Sequence, residues 1–171
     1  PRARWRWPLG LGLAAATAVA AVVLLTRTPS PPGEPTETIL SKGQVGLRVF
    51  RRRGDVSTEL VSGDAAQAGD RLRFVAEGGS PDGFLLVLGV EADGDRFPYL
   101  PADGQARPAS ELDGDGALPG AAALDGSRGR ERAVLVWCAQ PFSLKDVGPG
   151  TDGALAVPQG CQQAAFEIVK P

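Results

Sequence analysis

Catalysis by a small protein usually needs an imidazole, a reactive thiolate or two carboxyls in unlike surroundings, and this sequence contains no histidine. That absence removes the usual general base, the usual activator of Ser and Cys nucleophiles, and the commonest imidazole metal ligand within the chain. Carboxylates are plentiful, but most sit beside glycine in turn-like sequence. Nothing there resembles the apolar setting that would raise one acid of a glycosidase-type pair. The chain therefore does not read as an enzyme, and no catalytic residue and no cofactor are expected.

The remaining candidates are two cysteines, two acidic turns and an arginine run. Asp93-Gly94-Asp95 and Asp113-Gly114-Asp115-Gly116 offer closely spaced hard oxygens of the kind calcium prefers. The calcium-loop pattern fails at its third ligand position, which is Ala117, and no glutamate closes the loop at the required distance. Both stretches read as turns, and no metal site is expected. Arg51-Arg52-Arg53 is the one dense basic run, but in a strand its side chains alternate between faces. It reads as a charged strand end.

Cys138 and Cys161 are an even pair, and the simplest use of such a pair in an oxidising compartment is a disulfide. A bridge would clamp the end of one apolar run to the start of the last one. Two buried reduced thiols are the alternative, and the compartment decides between them. A zinc site is poorly served by two thiols and no histidine.

The elements that must position these residues are strands. Val45, Leu47 and Val49 alternate with Gly46, Arg48 and Phe50, and Leu72 and Phe74 alternate with Arg71 and Arg73. This period of two marks half-buried antiparallel strands. Residues 83–90 and 133–138 are almost continuously apolar, as central strands covered on both faces should be, and residues 164–169 close the set. Arg53-Gly54-Asp55 predicts a tight hairpin with residues 56–61 as the return strand, and residues 92–95 predict another leading into Phe97-Pro98-Tyr99-Leu100. The one helix expected is short, with Pro141 at its first position and residues 142–147 as its body. The predicted fold is mainly β, a small antiparallel β-sandwich over residues 42–171.

The N-terminal third has a different character. Residues 9–26 carry no charge, follow Arg2, Arg4 and Arg6, and are flanked by Trp5 and Trp7. A helix of that length measures about 27 Å, enough for a bilayer core. The run exceeds a secretory signal core of about 7–15 residues, so an anchor is favoured over a cleaved signal. The arginine excess keeps residues 1–8 in the cytoplasm and places the rest outside. This predicts a protein of the inner (cell) membrane, single-pass through residues 9–26, with a periplasmic C-terminal domain. Residues 27–41, rich in proline, read as a stalk.

All twenty acidic residues follow Arg27, against fourteen of the eighteen basic ones, which leaves that part with a formal charge of −6. Nucleic acid is not expected as a partner of so acidic a surface. The chain begins at Pro1 and contains no methionine, so either an initiator has been trimmed or a cytoplasmic portion lies upstream; the second is favoured.

Gly46-Leu47-Arg48-Val49-Phe50, then Gly69-Asp70-Arg71-Leu72-Arg73-Phe74, then Leu86-Val87-Leu88-Gly89-Val90 leading to Pro98-Tyr99-Leu100-Pro101, resembles the domain of unknown function 4384 family. Cys138-x-x-Pro141-Phe142 and Gly160-Cys161 are similar in particular to its myxobacterial, membrane-anchored members. The resemblance implies a β-rich domain attached to an anchor or a signalling module. In some relatives the anchor follows a cytoplasmic anti-sigma module, of which no residue is present here. The expected function is a binding or sensing module of the cell envelope, its ligand or partner protein unknown, with the outer part of an anti-sigma-type regulator as one form of it. The alternative is a structural spacer or docking protein of the envelope.

Overall fold

The structure, a computed structural model, describes residues 44–151 and 154–171. They belong to one unit, Ile39–Pro171. The expected anchor (9–26), its basic flank and the stalk (27–41) lie outside the described residues. Among the described residues no helix is long and apolar enough to cross a membrane.

Among the described residues eleven strands follow in chain order: β1 (Gly46–Arg53), β2 (Val56–Glu59), β3 (Arg71–Glu77), β4 (Phe84–Val90), β5 (Arg96–Leu100), β6 (Arg107–Pro108), β7 (Ala122–Ala123), β8 (Gly129–Cys138), β9 (Gly148–Pro149), β10 (Leu155–Ala156) and β11 (Gln162–Lys170). They form one antiparallel sheet in the order β2-β1-β3-β7, a second in the order β11-β8-β4-β5 with β6 beside β4, and a small β9-β10 ribbon. The expected mainly β, antiparallel architecture is thus present.

Burial explains why the two sheets read so differently in sequence. On the four-stranded sheet Val49, Leu72 and Phe74 enter the core, while Arg48, Arg52, Arg71 and Arg73 point away from it. That gives clean alternation. The central strands of the second sheet bury both faces. Leu85 and Val87 of β4, with Leu135 and Trp137 of β8, join the same cluster as Val49 and Phe74. Leu86, Leu88, Val134, Val136 and Cys138 form a separate cluster on the other face, covered by Phe142, Val147 and Leu155. An all-apolar strand is what such double coverage demands.

The β1–β2 hairpin turns on Gly54 at φ 57, the left-handed conformation that a two-residue connection requires, and pairs Arg53 with Val56. Its return strand ends at Glu59, short of the expected Val61; one further ladder bond follows, from the Leu60 N–H to the Val49 carbonyl at 2.9 Å, with Leu60 buried on the core side like Val49. β8 starts at Gly129, four residues earlier than its apolar run, since its charged first half pairs with β11 throughout.

The helix expected from Pro141 is not formed. Only a single 3-10 turn, Leu144–Asp146, appears there. The backbone before it is committed elsewhere: the Ala106 N–H donates to the Phe142 carbonyl at 3.0 Å, and the Leu144 N–H donates to the Gly104 carbonyl at 2.8 Å. Ser143 then caps the turn, its N–H and hydroxyl both donating to Asp146 Oδ2 at 2.8 Å. Phe142 is thereby delivered to the apolar face of β4 and β8 rather than wound into a helix.

Candidate functional site

Antiparallel pairing of β8 with β11 sets Trp137 opposite Gln162, so the next pair outward is Cys138 and Cys161. Directly opposed residues of this kind approach closely, and the two Cα atoms lie 4.2 Å apart with the sulfurs at bonding distance, 1.99 Å. The expected pair is thus brought together. The segment between the cysteines carries Phe142, Val147 and Leu155, which cover the outer apolar face of the second sheet. Gln163 of β11 adds a second tether: its side chain accepts the Leu155 N–H at 3.1 Å and donates to the Leu155 carbonyl at 3.0 Å. Residues 139–151 and 154–160 therefore belong to a flap held at its base by sulfur and at Leu155 by an amide.

The densest buried chemistry was invisible in sequence. Glu131 is 1 % exposed and Lys170 is 6 % exposed. The Tyr99 hydroxyl donates to one oxygen of Glu131, and the Lys170 ammonium donates to the other. Lys170 also donates to the Ser127 hydroxyl and, at 3.2 Å, to Asp125 Oδ1. Burial alone would lower the ammonium, but the Glu131 and Asp125 carboxylates outweigh it and hold Lys170 above its ordinary range. The Asp125 carboxyl is held low first by the Ser127 hydroxyl and then by Lys170. A lysine held in its charged form at neutral pH, with its donors already engaged, is a poor nucleophile or base. The signal that could have found the cluster is register: Glu131 and Lys170 face inward on neighbouring strands at positions where the alternation calls for apolar residues.

Two open clefts flank this cluster. One, about 400 Å³, runs between β5 and residues 121–125, with Tyr99 and Glu131 in its wall and three small alanines opposite. The other, about 200 Å³, is lined by Glu91, Ser127, Arg128 and Lys170. Glu131 belongs to both walls.

The arginine run divides as alternation requires. Arg51 donates to the Ala65 carbonyl at 2.9 Å. Arg53 grips Asp70 with two 2.7 Å bonds, and Asp70 also accepts the Gln67 N–H at 2.8 Å. The Arg53 guanidinium holds that buried carboxyl below its usual range, and the Gln67 N–H lowers it further. Arg52 points to the opposite, solvent-facing side. The acidic turns are occupied with turn chemistry: Asp93 accepts the Asp95 N–H at 3.0 Å, and Asp113 and Asp115 face Arg73 at 2.9 and 3.6 Å. Among the described residues no group of three or more Cys, Asp or Glu side chains is placed to hold a metal ion.

No protein-family model, no curated protein and no solved structure matches the chain.

Proposed function

We propose that the chain is a single-pass membrane protein of the cell envelope, anchored through residues 9–26, whose antiparallel sheets form an extracytoplasmic β-sandwich that binds or senses rather than catalyses. The observation that carries this reading is the Cys138–Cys161 pair at disulfide distance, because a structural bridge persists in oxidising compartments and is rare in a reducing cytosol. The uncharged run behind three arginines supplies the means of crossing. Engagement of the Tyr99, Glu131 and Lys170 side chains with one another supports a non-catalytic role for the cluster. Membership of the domain of unknown function 4384 family belongs to the same reading and rests on the residue order quoted above.

Topology is the test. A reporter active only in an oxidising periplasm, fused after Pro171, is expected to be active, and a reporter that needs the cytoplasm is expected to be silent. The reverse pattern would overturn the outside assignment.

A further inference from the structure

The solvent-facing side of the four-stranded sheet contains a juxtaposition that folding alone does not favour. Pairing of β1 with β3 sets Arg52 directly opposite Arg71, and pairing with the outer strands extends that row to Ser57 on one side and Ala123 on the other. Directly opposed residues of an antiparallel pair project to the same face with Cβ atoms about 4.5–5.5 Å apart, and like charges in that position repel. One row along, Phe50 stands opposite Arg73, whose guanidinium is neutralised by Asp113 and Asp115. The Arg52–Arg71 row is neutralised far less: its one carboxylate partner among the described residues is the fully exposed Asp55 beside Arg52, and none pairs with Arg71. Arg52 gives one donor to the Gly54 carbonyl at 3.0 Å, and its nearest carboxylate, Asp55, stands 3.7 Å away in open solvent. Arg71 is exposed, and among the described residues it makes no hydrogen bond or ion pair.

We propose that the Ser57–Arg52–Arg71 row is a binding site for a phosphomonoester. Two planar guanidinium forks on neighbouring strands present more donors than one carboxylate can accept, whereas the three terminal oxygens of a phosphate dianion can bridge both. The Ser57 hydroxyl, next in the row, can donate to the same group. Ser57, Arg52, Arg71 and Ala123 are all exposed, so the rest of the ligand can stay in solvent, and recognition is of the phosphate and not of what bears it. The inference gives the binding-module reading its ligand class, but the site is a property of the sheet face and does not depend on which side of a membrane it lies.

The test uses the purified 171-residue chain in a neutral detergent, with the arginine Nε–H signals followed by NMR while inorganic phosphate is titrated against chloride at constant ionic strength above pH 7. Saturable shifts of the Arg52 and Arg71 signals are expected. Arg52→Gln and Arg71→Gln should each weaken phosphate binding at least tenfold, and Arg128→Gln, on an exposed loop, should leave it unchanged. Equal responses to chloride and phosphate, or an equal loss in Arg128→Gln, would overturn the site. A soluble short-chain phosphatidic acid and a sugar phosphate then distinguish the sources. Tighter binding of the first identifies a lipid headgroup, equal binding identifies a soluble phosphomonoester, and saturation by neither refutes the proposal. Arg71→Gln should also raise the melting midpoint in phosphate-free buffer by removing the repulsion. A lowered midpoint would mean that Arg71 stabilises the sheet, and the argument from repulsion would fail.

Discussion

Breaking the Cys138–Cys161 link should destabilise the domain by an amount that loop length sets. The two residues are 23 apart in sequence. Chain entropy for a closed loop of that size gives about 3.4 kcal/mol at 25 °C. Spread over the unfolding entropy of a unit the size of Ile39–Pro171, this corresponds to a melting midpoint lower by about 12 °C. The loss should also be local before it is global. Phe142, Val147 and Leu155 cover the outer face of β4 and β8 from a flap that contains little secondary structure of its own, so opening of residues 139–160 should precede melting of the strands beneath. Calorimetry with and without a phosphine reductant measures the global term, and limited proteolysis under the same conditions measures the local one. Cys138→Ala/Cys161→Ala separates loss of the link from the presence of free thiols. A midpoint change below about 3 °C, or cleavage appearing first outside residues 139–160, would refute the assignment of the bridge as the clamp of this flap.

The remaining predictions concern the buried charges and the packing of Gly79 against Trp137. Lys170→Met should cost about 3–5 kcal/mol by leaving Glu131 buried without its partner, and Glu131→Gln/Lys170→Met should recover most of that in denaturant melts; equal losses in single and double variants would deny the coupling. Because Lys170 is held above its unfolded value of about 10.4, the folded state keeps its proton longer than the unfolded chain. Its contribution should be complete below about pH 10 and be lost as pH rises through the folded value, a slope that Lys170→Met should remove from a stability–pH profile. Gly79 sits at φ +74 with its absent Cβ position only 2.4 Å from Trp137 Cε2. Gly79→Ala should therefore lower the melting midpoint and red-shift Trp137 emission, measured with Trp5 and Trp7 replaced by Phe; an unshifted spectrum would show that the backbone at Gly79 had not been pushed off the indole.

Strand positions were legible where one physical rule governed them. Alternation located β1 and β3 because each meets the core on one side only, and apolar continuity located β4 and β8 because each is covered twice. The Asp-Gly and Gly-Asp steps marked hairpins because Gly54 and Gly94 adopt positive φ there. Sequence reasoning failed where tertiary partners replaced local preference. Residues 142–147 carry an acceptable helical start, yet hydrogen bonds from the distant 104–106 segment hold the chain extended and leave one 3-10 turn. The short strands β6, β7, β9 and β10 have two residues each, too few to show any period. The Glu131–Lys170 pair escaped because a charge near a strand end reads as exposed even when it falls in phase with inward residues such as Ala133 and Ile168. The β8–β11 register shows that the two inward charges share one face and can neutralise each other.

That register also explains how the surfaces are divided. The second sheet is covered on both faces, one by the four-stranded sheet's core residues and the other by the disulfide-tethered flap. Its outer edge at β11 is occupied as well, since residues 63–66 bond along it through the Gly63 and Ala66 N–H groups at 2.8 and 2.9 Å. Edge strand β5 contains Pro98 and a register shift beside it, features that discourage further pairing. Among the described residues, the broad sheet face left to solvent is therefore the outer side of β1, β2 and β3. There Arg48 is matched by Glu59 and Glu77, and Arg73 by Asp113 and Asp115, so the charge left over concentrates at the one row where two arginines oppose each other. On a protein that is acidic overall, two opposed arginines that share one solvent-exposed carboxylate on this sheet face attract a doubly charged anion more strongly than the neighbouring rows, whose arginines are each matched by two carboxylates.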